Sequence, residues 1–158
     1  MKKSLARIAK LALIVCLLNG AAFADFREHF DLGQNYLANY QYSGAITEFR
    51  SALRINYLDN SARIGLINAY LARAAEYGNR DNNWAKAADD FRSALFYMVY
   101  YPTSTQVQNS ASAINQATQN LEICLKATNF DFTPENRFNY AKKLRAEGNF
   151  SAAAYELN

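Results

Sequence analysis

One spacing limits what this chain can fold into more than any other feature. Leu32-Gly33, Tyr36, Tyr42, Ala45, Phe49, Ala52 and Leu53 place small and large residues at helical intervals on either side of a polar break at Asn39 to Gln41. Gly33, Ala45 and Ala52 are small where two antiparallel helices would touch, and Leu32, Tyr36, Ile46 and Phe49 fill the space that remains. Close helix approach needs both kinds of residue. The pattern returns in part: Phe49-Arg50-Ser51-Ala52-Leu53 and Phe91-Arg92-Ser93-Ala94-Leu95 are identical pentapeptides, and Leu66, Tyr70, Leu71, Trp84 and Ala87 supply the rest of a second helix pair. From Tyr36 to Ala45 is nine residues, whereas from Tyr70 to Ala87 is 17. The second turn is therefore expected to be an enlarged polar loop around Tyr77 to Asn83, with room for an extra helical turn before it. Ser43 is a candidate cap for the second helix, and Asp59-Asn60 marks the start of the second pair.

These spacings resemble the tetratricopeptide repeat (TPR), with residues 26 to 59 making one full repeat. The resemblance implies an all-α, TPR-like helix-turn-helix solenoid. Tyr57 stands where the family usually has Pro, and Ile67 where it usually has Gly. After Pro102 the chain departs from the family. Ser104 is a candidate cap, and Val107, Ala111, Ile114, Thr118, Leu121 and Leu125 follow alternating steps of four and three, the mark of an additional long amphipathic helix between the second and third repeats. Asn129 ends it. Thr133-Pro134-Glu135 then combines a capping residue, a first-turn Pro and an early acid, a strong helix start. The third repeat is partial, carried by Ala141, Leu144, Gly148, Phe150 and Ala153. The sequence stops inside what would be its second helix, so the domain from residue 25 to 158 is expected to continue into a longer protein.

The N-terminus is a separate signal. Lys2, Lys3, Arg7 and Lys10 lead into the apolar run from Leu11 to Leu18, followed by Ala22-Phe23-Ala24. That is the order of a secretory signal peptide with an A-x-A cleavage site, over residues 1 to 24. A membrane anchor would need about 20 apolar residues, and Asn19-Gly20 breaks this run earlier. The mature chain is expected to be periplasmic or extracellular, with no stable membrane insertion after cleavage. Removing residues 1 to 24 takes away four of the 17 basic residues and none of the 14 acidic ones, leaving a net charge of −1. A near-neutral domain has no general field for phosphates, which argues against nucleic acid as a partner. Cys124 is then the one cysteine left, so stability must come from helix packing rather than from an intrachain disulfide.

The residue inventory is poor in chemistry. A nucleophilic Cys124 would need a base, and the one histidine, His29, lies far away in sequence. Cys124 keeps the helical company of Leu121 and Leu125, as a small buried hydrophobe does. One His and one Cys cannot make the common zinc sets, and Asp89-Asp90, on adjacent helical positions, reads as a solvated face. No Gly-rich phosphate loop or catalytic elbow occurs. No enzymatic activity, metal or cofactor is expected.

Recognition is the remaining class of function. The resemblance implies that a protein or peptide partner lies in a concave groove lined by the first helix of each pair. The residues placed there are Arg27, Phe30, Gln34 and Leu37, then Ser61, Ile64, Asn68 and Leu71, then Glu135, Phe138, Lys142 and Arg145. The strongest candidates are Arg27, Phe30, Gln34, Ile64, Asn68, Phe138, Lys142 and Arg145. Six successive apolar helix residues, Phe96-Tyr97-Met98-Val99-Tyr100-Tyr101, cannot share one buried face, so this run is expected either to be sandwiched between the preceding repeat and the long helix or to form a second partner-binding surface. The chain reads as an exported interaction scaffold, self-assembly through the unfinished third repeat being open to it. The alternative is an accessory repeat module of a longer envelope protein whose activity lies C-terminal to Asn158.

Overall fold

The computed structural model describes residues 20, 22–101, 107–131 and 133–157. Among the described residues the regular structure is all α-helical, in a repeat-like succession of seven helices. They are α1 (22–38), α2 (Tyr42–Ile55), α3 (Asn60–Asn79), α4 (Trp84–Tyr100), α5 (Val107–Ala127), α6 (Pro134–Ala146) and α7 (Phe150–Glu156). Among these helices none is long and apolar enough to cross a membrane. The signal segment lies outside the described residues apart from Gly20 and residues 22–24, the latter opening α1. Ser104 also lies outside them.

Helix boundaries follow local chemistry. Asp59 Oδ1 accepts the Ala62 N–H at 2.8 Å, Asn83 Oδ1 the Lys86 N–H at 3.2 Å, and Thr133 Oγ1 the Asn136 N–H at 3.3 Å, each satisfying an orphan donor of a first turn. Three ends share one stop. Tyr40, Asn129 and Gly148 adopt left-handed φ values of 59°, 52° and 77°, and the next residue donates its N–H back to Tyr36, Leu125 and Leu144 respectively, the paired closure of a Schellman turn. One local expectation is corrected and another sharpened. Gln41, without a side-chain bond, precedes α2, while Ser43 lies inside the helix and its Oγ accepts from Arg73 Nη1 at 3.0 Å. The extra residues of the second pair mostly lengthen α3, which runs to Asn79, because Leu71 to Glu76 are good helix formers and Gly78 gives Trp84 room to pack.

Two core clusters share Leu71. The first joins α1, α2 and α3, with Ala94 and Tyr97 of α4, around Phe49, which is fully buried. Its ring lies between two glycines: a Cβ at Gly33 would come within 2.8 Å of Phe49 Cε1, and one at Gly65 within 2.4 Å of Phe49 Cζ. Gly65 thus lets α3 approach α2 closely, joining the second pair to the first. The second cluster packs Ala87, Ala88, Phe91 and Leu95 of α4 against Ala117, Leu121, Cys124 and Leu125 of α5.

The last hairpin departs from a simple continuation of the row. Among α2 to α7 the packed helix pairs are α2 with α3, α3 with α4, α4 with α5, α4 with α7, and α6 with α7. Helix α4 is therefore the hub, covered by α3, α5 and α7, and α6 attaches to the body mainly through α7. This burial on several sides corrects the expectation for Asp89-Asp90. Asp90 is 3% exposed and takes a two-pronged bond from Arg73 (Nε 2.7 Å, Nη2 2.8 Å), while Asp89 accepts from the Tyr140 hydroxyl at 2.7 Å. Neighbours about 100° apart on a helix both meet protein when the helix is covered on more than one side.

Candidate functional site

The turn after α2 and the end of α4 leave a cleft of about 460 Å³ between α2, the first turn of α3 and the C-terminal end of α4. From α2 come Thr47, Arg50, Ser51 and Arg54, which stand at successive intervals of three, one and three and so share one helix face. Tyr57 enters from the turn, Arg63 from α3, and Tyr97 and Tyr101 from one side of α4.

Each side chain has a physical reason for its place. Arg63 is 6% exposed, donates from Nη2 to the Tyr57 carbonyl at 2.7 Å and from Nη1 to Asn60 Oδ1 at 2.9 Å, and lies 5.2 Å beneath the Tyr101 ring. It thereby ties the α2–α3 turn to the end of α4, a planar cation against an aromatic face. Arg54 Nη2 donates to Ser51 Oγ at 2.9 Å. Tyr97 stacks on Tyr70 with ring centroids 6.4 Å apart, and burial, reinforced by Tyr70, pushes its phenol up to about 12, so it remains a hydrogen-bond donor at neutral pH. Val99, Tyr100 and Tyr101 stay exposed while Phe96, Tyr97 and Met98 are partly covered.

The charge of this cleft is one-sided. Arg27, Arg73, Arg80, Arg92 and Arg137 each pair with a carboxylate. Among the described residues, Arg50, Arg54 and Arg63 pair with none, and no Asp or Glu lines the cleft. A larger hollow of about 680 Å³, beside the end of α4, α5 and Tyr155, contrasts with it: its apolar wall of Val99, Leu121 and Leu125 carries both Lys126 and Arg137 and both Glu122 and Glu156.

The residues named for the groove are distributed as follows. Arg27 is exposed and pairs with Asp31 at 3.8 Å. Phe30 is half-buried, its ring 6.0 Å from both Phe26 and Phe49, so it belongs largely to the first core. Gln34, Ser61 and Asn68 are exposed, and Leu37, Ile64 and Leu71 half-buried. On α6, Glu135 and Arg145 are exposed, and Lys142 Nζ sits 4.3 Å from the ring centroid of Phe138, itself 50% exposed. These last residues belong to the hairpin that reaches the body through α7, so α6 does not extend the row by packing on α3. Sequence reasoning passed over Arg50, Arg54, Tyr57 and Arg63. The available signal was the Thr47, Arg50, Ser51, Arg54 stripe on the side of α2 away from its small residues.

The titratable groups weighed for chemistry are placed elsewhere. Cys124 is 2% exposed in the α4–α5 core, where burial raises its thiol above the ordinary range and keeps it protonated. His29 Nδ1 lies 2.6 Å from Glu48 Oε2, bridging α1 and α2. Among the described residues no three His, Cys, Asp or Glu side chains converge as a metal set. No family model matches the chain, and it has no match among curated proteins or solved structures.

Proposed function

We propose that this chain is an exported, TPR-like interaction scaffold that works by holding a segment of another protein, without chemistry of its own. The observation that carries this reading is the cleft at the end of α4, where Tyr57, Tyr97 and Tyr101 stand beside three arginines that lack a carboxylate partner. Tyr and Arg are the residues most enriched at energetically dominant interface positions, since they combine large contact area with directed hydrogen bonds. The α2–α3–α4 cleft is better equipped for this than the α1 and α3 face, because Phe30 is already engaged by Phe26 and Phe49.

The test is photocrosslinking in the cells that make the protein, with a photoreactive amino acid in place of Tyr101 and, separately, of Phe138. The expected result is one discrete protein adduct from position 101. Adducts from position 138 alone would move the site to α6, and none from either would remove the scaffold reading. Export is tested by the intact mass of the product in those cells: loss of residues 1 to 24 is expected, and their retention would overturn it.

A further inference from the structure

The molecule contains its own example of what an arginine at this sequence position takes as a partner. Arg92, second residue of the second Phe-Arg-Ser-Ala-Leu pentapeptide, is fully buried and is met by the Glu156 carboxylate delivered by α7. Arg50, second residue of the first copy, is exposed in the open cleft, and among the described residues it has no hydrogen bond or ion pair. Arg54 beside it has its fork held by Ser51, and Arg63 adds a fixed positive charge from the cleft floor. Three guanidinium groups with no counter-charge concentrate positive potential in one concave place, in a mature chain whose net charge is −1.

We infer that the cleft receives an acidic peptide segment of a partner protein, its carboxylates taken by Arg50 and Arg54 and its apolar parts laid on Tyr97 and Tyr101. This rests on the scaffold function proposed above and names the chemistry of the partner. Carboxylates match the guanidinium fork in two-pronged bonds about twice as strong as neutral ones, and the rings beside them give non-polar area that a free inorganic anion would leave unused. The surface lies against α2 and the end of α4, apart from the α1 and α3 residues named for the groove.

The experiment reads the purified chain against immobilised synthetic peptides ranging from strongly acidic to strongly basic, each acidic peptide paired with its Gln and Asn counterpart. Acidic peptides should be retained over their amide counterparts, by about tenfold when the best pairs are remeasured in solution by fluorescence anisotropy, and added salt should weaken them. Arg50→Glu should cost at least about tenfold. Lys86→Glu, the same change of charge on the exposed far end of α4, should leave binding unchanged. Arg50 is exposed, so the variant should keep wild-type helical circular dichroism, and Arg50→Lys should fall between the two.

Equal binding of the amide counterparts would overturn the charge preference while leaving the scaffold reading intact. Equal losses in Lys86→Glu and Arg50→Glu would reduce the effect to bulk attraction and overturn the site. Binding of phosphatidylglycerol vesicles that depends on Arg50, with acidic peptides ignored, would replace the peptide by a lipid surface. Failure to retain peptides of any charge would bring down both readings.

Discussion

The same five residues, Phe-Arg-Ser-Ala-Leu, occur at 49 to 53 on α2 and at 91 to 95 on α4, with opposite fates for the arginine. In both copies Phe, Ser, Ala and Leu are buried or half-buried. Arg50 faces an open cleft, whereas Arg92 is enclosed by Glu156, Asp89, and the rings of Phe130 and Tyr140 at 5.4 and 4.8 Å, with Nη2 buried and lacking a hydrogen-bond partner. Arg137 shares the same carboxylate, Nε to Glu156 Oε2 at 2.9 Å. What separates the copies is whether a later helix arrives to cover them. One arginine fixes the architecture and the other is left available to a partner.

The comparison breaks most readily at Glu156. Replacing it with Ala leaves buried Arg92 with only the longer Asp89 contact at 3.4 Å, which should cost about 3–5 kcal/mol and release the α6–α7 hairpin; urea unfolding followed by circular dichroism measures it. Stability within about 1 kcal/mol of wild type would mean that Arg92 is not held as described. Next in size, Gly65→Ala should cost about 1–3 kcal/mol by driving a methyl into the Phe49 ring. The lowered melting temperature should appear without loss of the α4–α7 contact, locating the damage in the first core.

Asp89 sharpens the electrostatic side of the second copy. Burial raises its carboxyl above the ordinary 3.8, Asp90 and Glu147 add to this, and Tyr140 and Arg92 oppose it. A raised carboxyl favours the fold when protonated, so its contribution is fully present below pH 3.8 and is lost as pH rises through the folded value. Relative to Asp89→Asn, the wild type should therefore gain stability as pH falls and lose that gain toward neutrality. Thermal melts of both across the acid range test this, and a pH-independent difference would contradict it. The smallest effect belongs to Arg50→Ala, within about 0.5 kcal/mol in the same unfolding assay. A loss comparable to Glu156→Ala would erase the distinction between the copies.

Much of the fold was legible because it is written locally. Asp59, Asn129 and Thr133 mark boundaries by capping or left-handed backbone, and the small residues around Phe49 specify the first hairpin. What was illegible depends on distant arrivals. Nothing near Arg92 announces Glu156, 64 positions away, and nothing near Asp89 announces Tyr140, 51 positions away. The loop expected around Tyr77 to Asn83 is shorter than its polar composition suggests, because the extra helical turn before it carries α3 to Asn79. Of the candidate cleft, the aromatic half at Tyr97 to Tyr101 could be read as a surplus of apolar rings. The arginine half left only the stripe of Thr47, Arg50, Ser51 and Arg54, and an outward arginine on a helix reads as plain surface until its neighbours are seen to lack a counter-charge.

The separation between Arg92 and Glu156 also has a meaning in time. A chain synthesised at about 5–20 residues per second makes Arg92 some 3–13 s before the carboxylate that neutralises it. By then α1, α2 and α3 hold most of what closes the first core around Phe49, whereas Arg92, next to Phe91 of the second core, still lacks Glu156. In chain order the residues of the first core are thus complete by Tyr97, whereas the carboxylate that meets Arg92 comes only with α7.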